Sequence, residues 1–442
     1  METTFIDIIH AMENYTNLEK NIEHYTTRYY RLDRMHKLLS FFDNPEKDYQ
    51  KIHVAGSKGK GSTSKFIATG LKSFGYKVGI YASPHLLDYK ERFTVCGDFF
   101  SDDFLIEVGN YILDKIKGFT FSDQWGETEP TTFELFTLYG FMLFSKSNCD
   151  YAVIETGLGG RLDATNTITP ILSVICPIEL EHTSILGDTI EKIATEKSKI
   201  IKKNIPVVAA SLKEEARKVI INEAKAQNSS LRLLENETMS IKSHTKREFE
   251  ETEITYNDGT KINLKLKLKG SVMAQNAALA ILALNTLNFN SPKMISAINE
   301  TTLLGRFQLL SEKPDLIIDA AHTKISIQAL ISSIKQIEDK EKCTVIFGSL
   351  IDKDHKGIAP ILLNNFNNII LSRPGTFKKS DMPSLYNLFK DLSTNSNIEM
   401  LLDGNDALQR AFELTPKDGC ILVCGSFYLA SEIALAFKQL NK

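Results

Sequence analysis

The residues best suited to chemistry lie in one short stretch, His53-Val54-Ala55-Gly56-Ser57-Lys58-Gly59-Lys60-Gly61-Ser62-Thr63. Ile52 and Val54 give it an apolar strand on one side, and Phe66, Ile67, Gly70, Leu71 and Phe74 give it an amphipathic helix on the other. A glycine-rich turn between a strand and a helix lets backbone N–H groups face phosphate oxygens. The helix N-terminus adds positive potential, Lys60 adds a charge, and a hydroxyl such as Ser62 can reach a magnesium ion. The spacing departs from G-x-x-x-x-G-K-[ST], because Val54 stands where the first glycine belongs and Gly61 separates Lys60 from Ser62. A surface turn rich in Gly and Ser is the alternative.

A second constellation is Glu155-Thr156-Gly157-Leu158-Gly159-Gly160-Arg161-Leu162-Asp163-Ala164-Thr165-Asn166. It places a carboxylate at the end of the apolar run Tyr151–Ile154, the edge of a parallel sheet where ligands collect. Glu181-His182 follows the run Ile171–Cys176, and Ser83-Pro84-His85 follows Val78–Ala82. Together with Glu155, these offer a hydroxyl and an imidazole for a Mg²⁺ shell shared with phosphates and water. Asp319-Ala320-Ala321-His322, Asp352-Lys353-Asp354 and Gly425-Ser426 follow further strand-like runs. Asp319 there can hold a ribose hydroxyl, with helix caps and turns as the alternative. Lys197, in Ala194-Thr195-Glu196-Lys197-Ser198-Lys199, reads as a surface lysine of a helix.

The elements that must position these residues alternate strand and helix, which predicts βα units and parallel sheets. Strands are expected at 51–55, 78–82, 151–155, 171–176 and 205–209, with helices at 62–74 and 189–203 between them. Residues 253–268 read as a hairpin around Asn257-Asp258-Gly259, and the charge run Lys242–Glu253 as a solvated loop. A helix at about 273–287 and a connector at Asn299–Gly305 follow. A second alternation has strands at 315–319, 343–347, 368–372, 398–402 and 420–424. At 442 residues the chain exceeds one hydrophobic core, so two domains are expected, 1–299 and 300–442. A net charge of −3 argues against nucleic-acid binding. The start METTFIDIIHAMENY lacks the basic and apolar regions of a signal peptide, and no apolar run suits a membrane span. The scattered cysteines, Cys420 and Cys424 included, read as buried free thiols of a cytoplasmic protein.

In this order the motifs resemble the Mur ligase superfamily, and specifically its dihydrofolate synthase/folylpolyglutamate synthase family. The matching residues include Leu32-Asp33-Arg34-Met35, the phosphate loop with its variant spacing, Ser83-Pro84-His85-Leu86 and Thr132-Phe133-Glu134. Gly157–Asn166, Glu196-Lys197, Asn276-Ala277-Ala278, Gly305-Arg306-Phe307, Asp352-Lys353-Asp354 and Gly425-Ser426-Phe427 also fit. The resemblance implies an α/β fold: an N-terminal P-loop ATPase domain with a mostly parallel sheet, then a C-terminal Rossmann-like domain.

It implies that Gly59, Lys60, Gly61 and Ser62 hold the ATP phosphates and that Ser83, Glu155 and His182 serve Mg²⁺. Asn276 and Asp319 contact the nucleotide, and Arg306 reaches the phosphates. Thr131, Thr132, Phe133, Glu134, Leu162, Asp163 and Ala164 line a pterin or folate site. His322 and Ser426 face L-glutamate, and Lys197 matches a lysine carbamylated in the family. The implied reaction is glutamate ligation to dihydropteroate, to reduced folates, or to both, through an acyl phosphate, by a cytoplasmic monomer with no nucleic-acid or membrane partner. A Mur-type ligase joining an amino acid to another carboxylate, such as a cell-wall precursor, is the alternative. The sequence departs from the family pattern at Lys58, Glu181 and Lys199, and at Arg28-Tyr29-Tyr30-Arg31 in the segment that cradles dihydropteroate.

Overall fold

The computed structural model describes residues 3–17, 31–122, 128–339, 342–351, 353–375 and 380–440. Arg28, Tyr29, Tyr30 and Asp352 lie outside them. The chain forms two compact units. One comprises Met1–Met239, Thr255–Thr260 and Gln275–Ile298, the other Ser240–Ile254, Lys261–Ala274 and Asn299–Lys442.

The first unit is built on β1 (Gln50–Ala55), β2 (Val78–Tyr81), β3 (Phe93–Val95), β4 (Asp98–Phe99), β5 (Tyr151–Glu155), β6 (Leu172–Ile175), β7 (Val207–Ala209) and β8 (Leu231–Leu233). The sheet order is β4-β3-β2-β5-β1-β6-β7-β8, parallel from β2 to β8, with β3 and β4 antiparallel at one edge. The central strands are short and rich in Val and Ile, as strands covered on both faces must be. On one side Ile8, Leu38, Val108 and Phe136 join a core fed by helices Phe5–Glu13, Leu32–Phe41, Asp102–Ile116 and Thr132–Lys146. On the other, Ile193, Ala194, Ala216 and Ile220 come from helices Ile190–Ser198 and Glu214–Ala226. Helix Lys60–Lys72 packs closely on Leu284, because a Cβ at Gly70 would lie 2.3 Å from Leu284 Cδ1.

Of the charge run Lys242–Glu253, expected as a loop, only residues 246–249 are one; the rest belongs to strands β9 (Thr238–Thr245) and β10 (Glu250–Tyr256). With β11 (Lys261–Leu266) they make a three-stranded sheet in the order β11-β10-β9. The alternation is present, but Glu250 and Thr252 occupy hidden positions where aliphatic residues would have announced a strand. Glu250 is buried because its Oε2 accepts the Gly270 N–H at 2.8 Å. The expected turn at Asn257-Asp258-Gly259 forms, with Gly259 at φ 84° and Tyr256 N–H donating to Thr260 O.

The second unit has β12 (Gln308–Ser311), β13 (Asp315–Ile318), β14 (Cys343–Phe347), β15 (Asn368–Leu371), β16 (Asn397–Met400) and β17 (Cys420–Cys424). The order is β12-β13-β17-β14-β15-β16, parallel except for β12. β12 was not among the expected strands. A helix follows each parallel strand, and Ile317, Val345, Leu371, Phe389 and Leu422 share one core. All six cysteines are free thiols, five of them buried. Among the described residues no helix is long and apolar enough to cross a membrane.

Candidate functional site

Gly56, Ser57, Lys58 and Gly59 connect β1 to helix Lys60–Lys72, which starts two residues earlier than the sequence suggests. Pro177 O anchors the connection by accepting the Ser57 and Lys58 N–H groups at 2.8 and 3.3 Å. Gly56 lies so close to Cys176 that a Cβ would meet the Cys176 Cβ at 2.5 Å. Gly59 has φ 80°, and a Cβ there would meet Asn276 Oδ1 at 2.5 Å. Asn276 is buried, and its Nδ2 has no hydrogen-bond partner among the described residues. The first-turn amides of Lys60, Gly61 and Ser62 have no preceding helical carbonyl to serve, so this turn offers N–H donors, an orphaned amide and a lysine together.

Glu155 ends β5 opposite Val54 of β1 and reaches this turn. Its Oε1 lies 3.7 Å from Lys60 Nζ, and its Oε2 would be 3.4 Å from a Cβ at Gly61. Lys60 Nζ also donates to Gly56 O at 3.1 Å. Burial opposes the Lys60 charge, but Glu155 and Glu181 outweigh it, so the ammonium pKa is raised. Ser83 and Glu181-His182 follow the C-terminal ends of β2 and β6, which flank β5 and β1 in the sheet. His182 takes φ 47° just before the short helix Thr183–Leu186. Among the described residues, no three His, Cys, Asp or Glu side chains converge as a metal cluster.

Lys197 is not a surface residue: it is 1% exposed. Its Nζ donates to Gly56 O at 2.9 Å and to Glu181 Oε1 at 2.8 Å. Burial lowers its pKa against the pull of Glu181. Burial works against the Glu181 charge too, yet Lys197 and Lys60 carry its pKa down to about 2. The signal for a buried Lys197 was present, since it lies one helical turn after Ile193 and Ala194 on the buried face. Lys199 points elsewhere, pairing with Glu223 at 2.6 Å.

Thr131 caps helix Thr132–Lys146 in a capping box with Glu134. Glu134 Oε2 accepts the Thr131 N–H at 2.8 Å, and both its oxygens accept from Arg34 at 3.2 Å. Burial pushes the Glu134 carboxyl up against the pull of Arg34. Thr132 Oγ1 donates to the backbone near Met12 and Tyr15. Phe133 instead faces the glycine loop, where a Cβ at Gly157 would lie 2.4 Å from its ring. In that loop Asp163 Oδ2 accepts the Leu158 N–H at 2.8 Å, and Oδ1 accepts from Thr165. Leu162 and Ala164 flank it, Ala164 buried and Leu162 half-buried.

In the second unit, Asp319 follows β13 and Gly425-Ser426 follow the adjacent β17. Asp319 accepts the Phe307 N–H at 2.8 Å and the Ala321 N–H at 2.7 Å. Burial raises its pKa against the pull of Arg306. The Arg306 guanidinium lies 4.5 Å above the Phe427 ring and donates to Gly305 O. His322 Nδ1 donates to Ala320 O at 2.8 Å, since a carbonyl only accepts. Gly425 N–H donates to Ala321 O, and Ser426 Oγ caps the following helix by accepting the Leu429 N–H. The structure thus brings Arg306, Asp319, His322 and Ser426 to one sheet edge.

The fold and its phosphate turn define a P-loop nucleotide-binding protein with a second α/β unit. The Mur ligase middle domain matches residues 54–284, and the Mur ligase glutamate ligase domain matches 305–427. The chain is 32% identical over 416 residues to the dihydrofolate synthase/folylpolyglutamate synthase of Bacillus subtilis, covering 92% of this chain and 95% of that protein. The folylpolyglutamate synthase of Thermotoga maritima matches with a TM-score of 0.80 and 27% identity, over 99% of this chain and 97% of that one. An FPGS–AMPPCP–folate complex matches with a TM-score of 0.79 and 26% identity, over 98% and 100%. The chain belongs to the Mur ligase superfamily, in its dihydrofolate synthase/folylpolyglutamate synthase family.

Proposed function

We propose that the protein is an ATP-dependent ligase joining L-glutamate to the carboxylate of dihydropteroate, of reduced folates, or of both. The observation that carries this reading is the turn Gly59–Ser62, with Lys60 and Glu155 beside it and the unpartnered Asn276 amide against Gly59. A relative of similar fold forms a complex with AMPPCP and folate, which supports ATP as one substrate and a pterin as another. A carboxylate is a poor electrophile, so ATP converts it to an acyl phosphate. The glutamate amine then attacks the acyl carbon and phosphate leaves.

Lys60 and Arg306 offset the charge on the transferring phosphoryl group. Ser83 and Glu155 offer the hard oxygen donors that suit Mg²⁺, with His182 at the next strand end. Among the described residues no three His, Cys, Asp or Glu side chains cluster here, so a Mg²⁺ ion held by these residues would take the rest of its ligands from phosphate and water. Bound there, Mg²⁺ polarises phosphoryl oxygens. Phe133, Leu162, Asp163 and Ala164 receive the pterin, while Thr131, Thr132 and Glu134 hold the helix that presents Phe133. His322 and Ser426 receive glutamate, and Asp319 contacts the nucleotide while holding the Arg306-Phe307 turn. Residues 1–299 serve ATP and pterin, and 300–442 serve glutamate. Lys197, buried with a lowered pKa, suits carbamylation, because the neutral amine reacts with CO₂. The protein acts as a monomer in the cytoplasm, in keeping with its free thiols.

The test is phosphate release from Mg-ATP with L-glutamate, offering dihydropteroate and tetrahydrofolate separately. Release with dihydropteroate alone means a dihydrofolate synthase, release with tetrahydrofolate alone a polyglutamylating enzyme, and release with both a bifunctional one. ATP binding without release in either tube refutes the pterin assignment.

A further inference from the structure

His53 sits on β1, in register with Ile154 of β5 and Ser173 of β6, and its side chain is completely buried. Its neighbours Ile52 and Val54 are the aliphatic residues such a strand needs. The His53 Nε2 lies 2.9 Å from Thr165 Oγ1, which lies 2.5 Å from Asp163 Oδ1. Both Asp163 oxygens already accept backbone amides, from Leu158 and Thr165. The carboxylate is therefore an acceptor, and the Thr165 hydroxyl proton is committed to it. Thr165 can then only accept from His53, so the ring carries its proton on Nε2. The Nδ1 left bare has no partner among the described residues. A buried acceptor without a partner costs stability, a cost an aliphatic side chain would not carry.

We propose that His53 is a positioning residue that, through Thr165, fixes Asp163 and with it the Gly157–Asn166 loop. Asp163 closes that loop by accepting the Leu158 N–H, and Gly157 beside it lies against Phe133. The inference rests on the ligase reading for its consequence, because the loop carries the proposed acceptor residues Leu162, Asp163 and Ala164. His53 thereby tunes how the carboxylate substrate is held and not how ATP is bound. Burial, reinforced by Lys202, pushes the ring pKa down to about 3, so the tether is uncharged at neutral pH.

The test compares His53→Leu, His53→Gln and Thr165→Val with the native protein. Glutamine keeps a donor where Nε2 stands. The expected result is a rise of about tenfold in the pterin KM for His53→Leu and Thr165→Val, with the ATP KM within about twofold and no drop in Tm. His53→Gln should recover most of the loss. Equal rises in both KM values, or a lower Tm with an unchanged pterin KM, overturn the proposal. Two measurements do not need turnover. Histidine ¹⁵N NMR should show the Nε2–H tautomer, and Leu158 amide exchange should speed up in His53→Leu and slow again in His53→Gln. An Nδ1–H tautomer or unchanged exchange overturns the tether. A native protein that turns over no pterin overturns the ligase reading instead, and leaves the tether to be judged by these two measurements.

Discussion

Under the phosphate loop four side chains alternate in charge: Lys60 with Glu155 at 3.7 Å, and Lys197 with Glu181 at 2.8 Å. The shorter pair is a direct hydrogen bond from an almost fully buried lysine, so it should dominate stability while the longer one serves the reaction. Glu181→Gln leaves the Lys197 ammonium buried with neutral acceptors only, Gly56 O and the glutamine amide oxygen. A cost of about 3 kcal/mol is expected in urea unfolding. Adding Lys197→Met should return part of it, because the unpaired charge goes with the side chain. An unchanged midpoint in Glu181→Gln would show the pair to be energetically idle. The same pair sets an acid limb. The Glu181 carboxyl titrates near 4.5 when unfolded and at about 2 when folded, so the unfolded chain takes up the proton first. Its stabilisation is whole above about pH 4.5 and is lost as pH falls toward 2, and Glu181→Gln should flatten that part of the profile. At the looser pair, Glu155→Ala should cut ATP turnover by at least about a hundredfold with Tm nearly unchanged, and normal turnover would remove Glu155 from the site.

The helix Thr132–Lys146 shows how an element can hide a residue's role. Glu134 lies in a segment to which the family resemblance gives a substrate role, yet its oxygens serve the helix start and a completely buried Arg34, whose guanidinium also lies 4.0 Å above the Phe121 ring. Glu134→Ala strips the cap and strands Arg34 in the core. A loss of about 3 to 5 kcal/mol is expected, read as a fall in Tm before any change in pterin KM. A normal Tm with a raised KM would return Glu134 to the substrate. Element identity was legible in the central strands built of aliphatic residues, as in Ile52-His53-Val54 or Ile421-Leu422-Val423, but not in the short edge strands β8 and β12. It failed at Lys242–Glu253, where threonine and glutamate occupy the hidden positions of a real strand. The phosphate turn was legible because glycine, lysine and hydroxyls must sit close in sequence to do that work. The Glu181–Lys197, Arg34–Glu134 and His53–Thr165 pairs were not, because each joins residues far apart in the chain. Only the tertiary packing of strands and helices brings such partners together.

Across the molecule the same solution is used twice: a parallel sheet with polar loops gathered at the carboxyl ends of its strands. The first unit holds Lys60, Glu155 and Asn276, the residues proposed to grip the nucleoside triphosphate. The second holds Arg306, Asp319, His322 and Ser426, with the guanidinium already fixed over Phe427 and the turn behind it fixed by Asp319. If the labour is divided in this way, binding and turnover should separate by unit. Lys60→Ala should lose both ATP affinity and phosphate release. Arg306→Ala should keep ATP affinity within about threefold, yet lower glutamate-dependent phosphate release by about a hundredfold to a thousandfold, the usual loss when one preorganised donor to a developing charge is removed. Arg306→Lys should recover little, because an ammonium neither stacks flat on an aromatic ring nor presents a planar fork to phosphate. Titration calorimetry with an ATP analogue and a phosphate-release assay separate the two quantities. Parallel losses in Arg306→Ala would place Arg306 in ground-state nucleotide binding. Unchanged release would take the second unit's arginine out of the reaction.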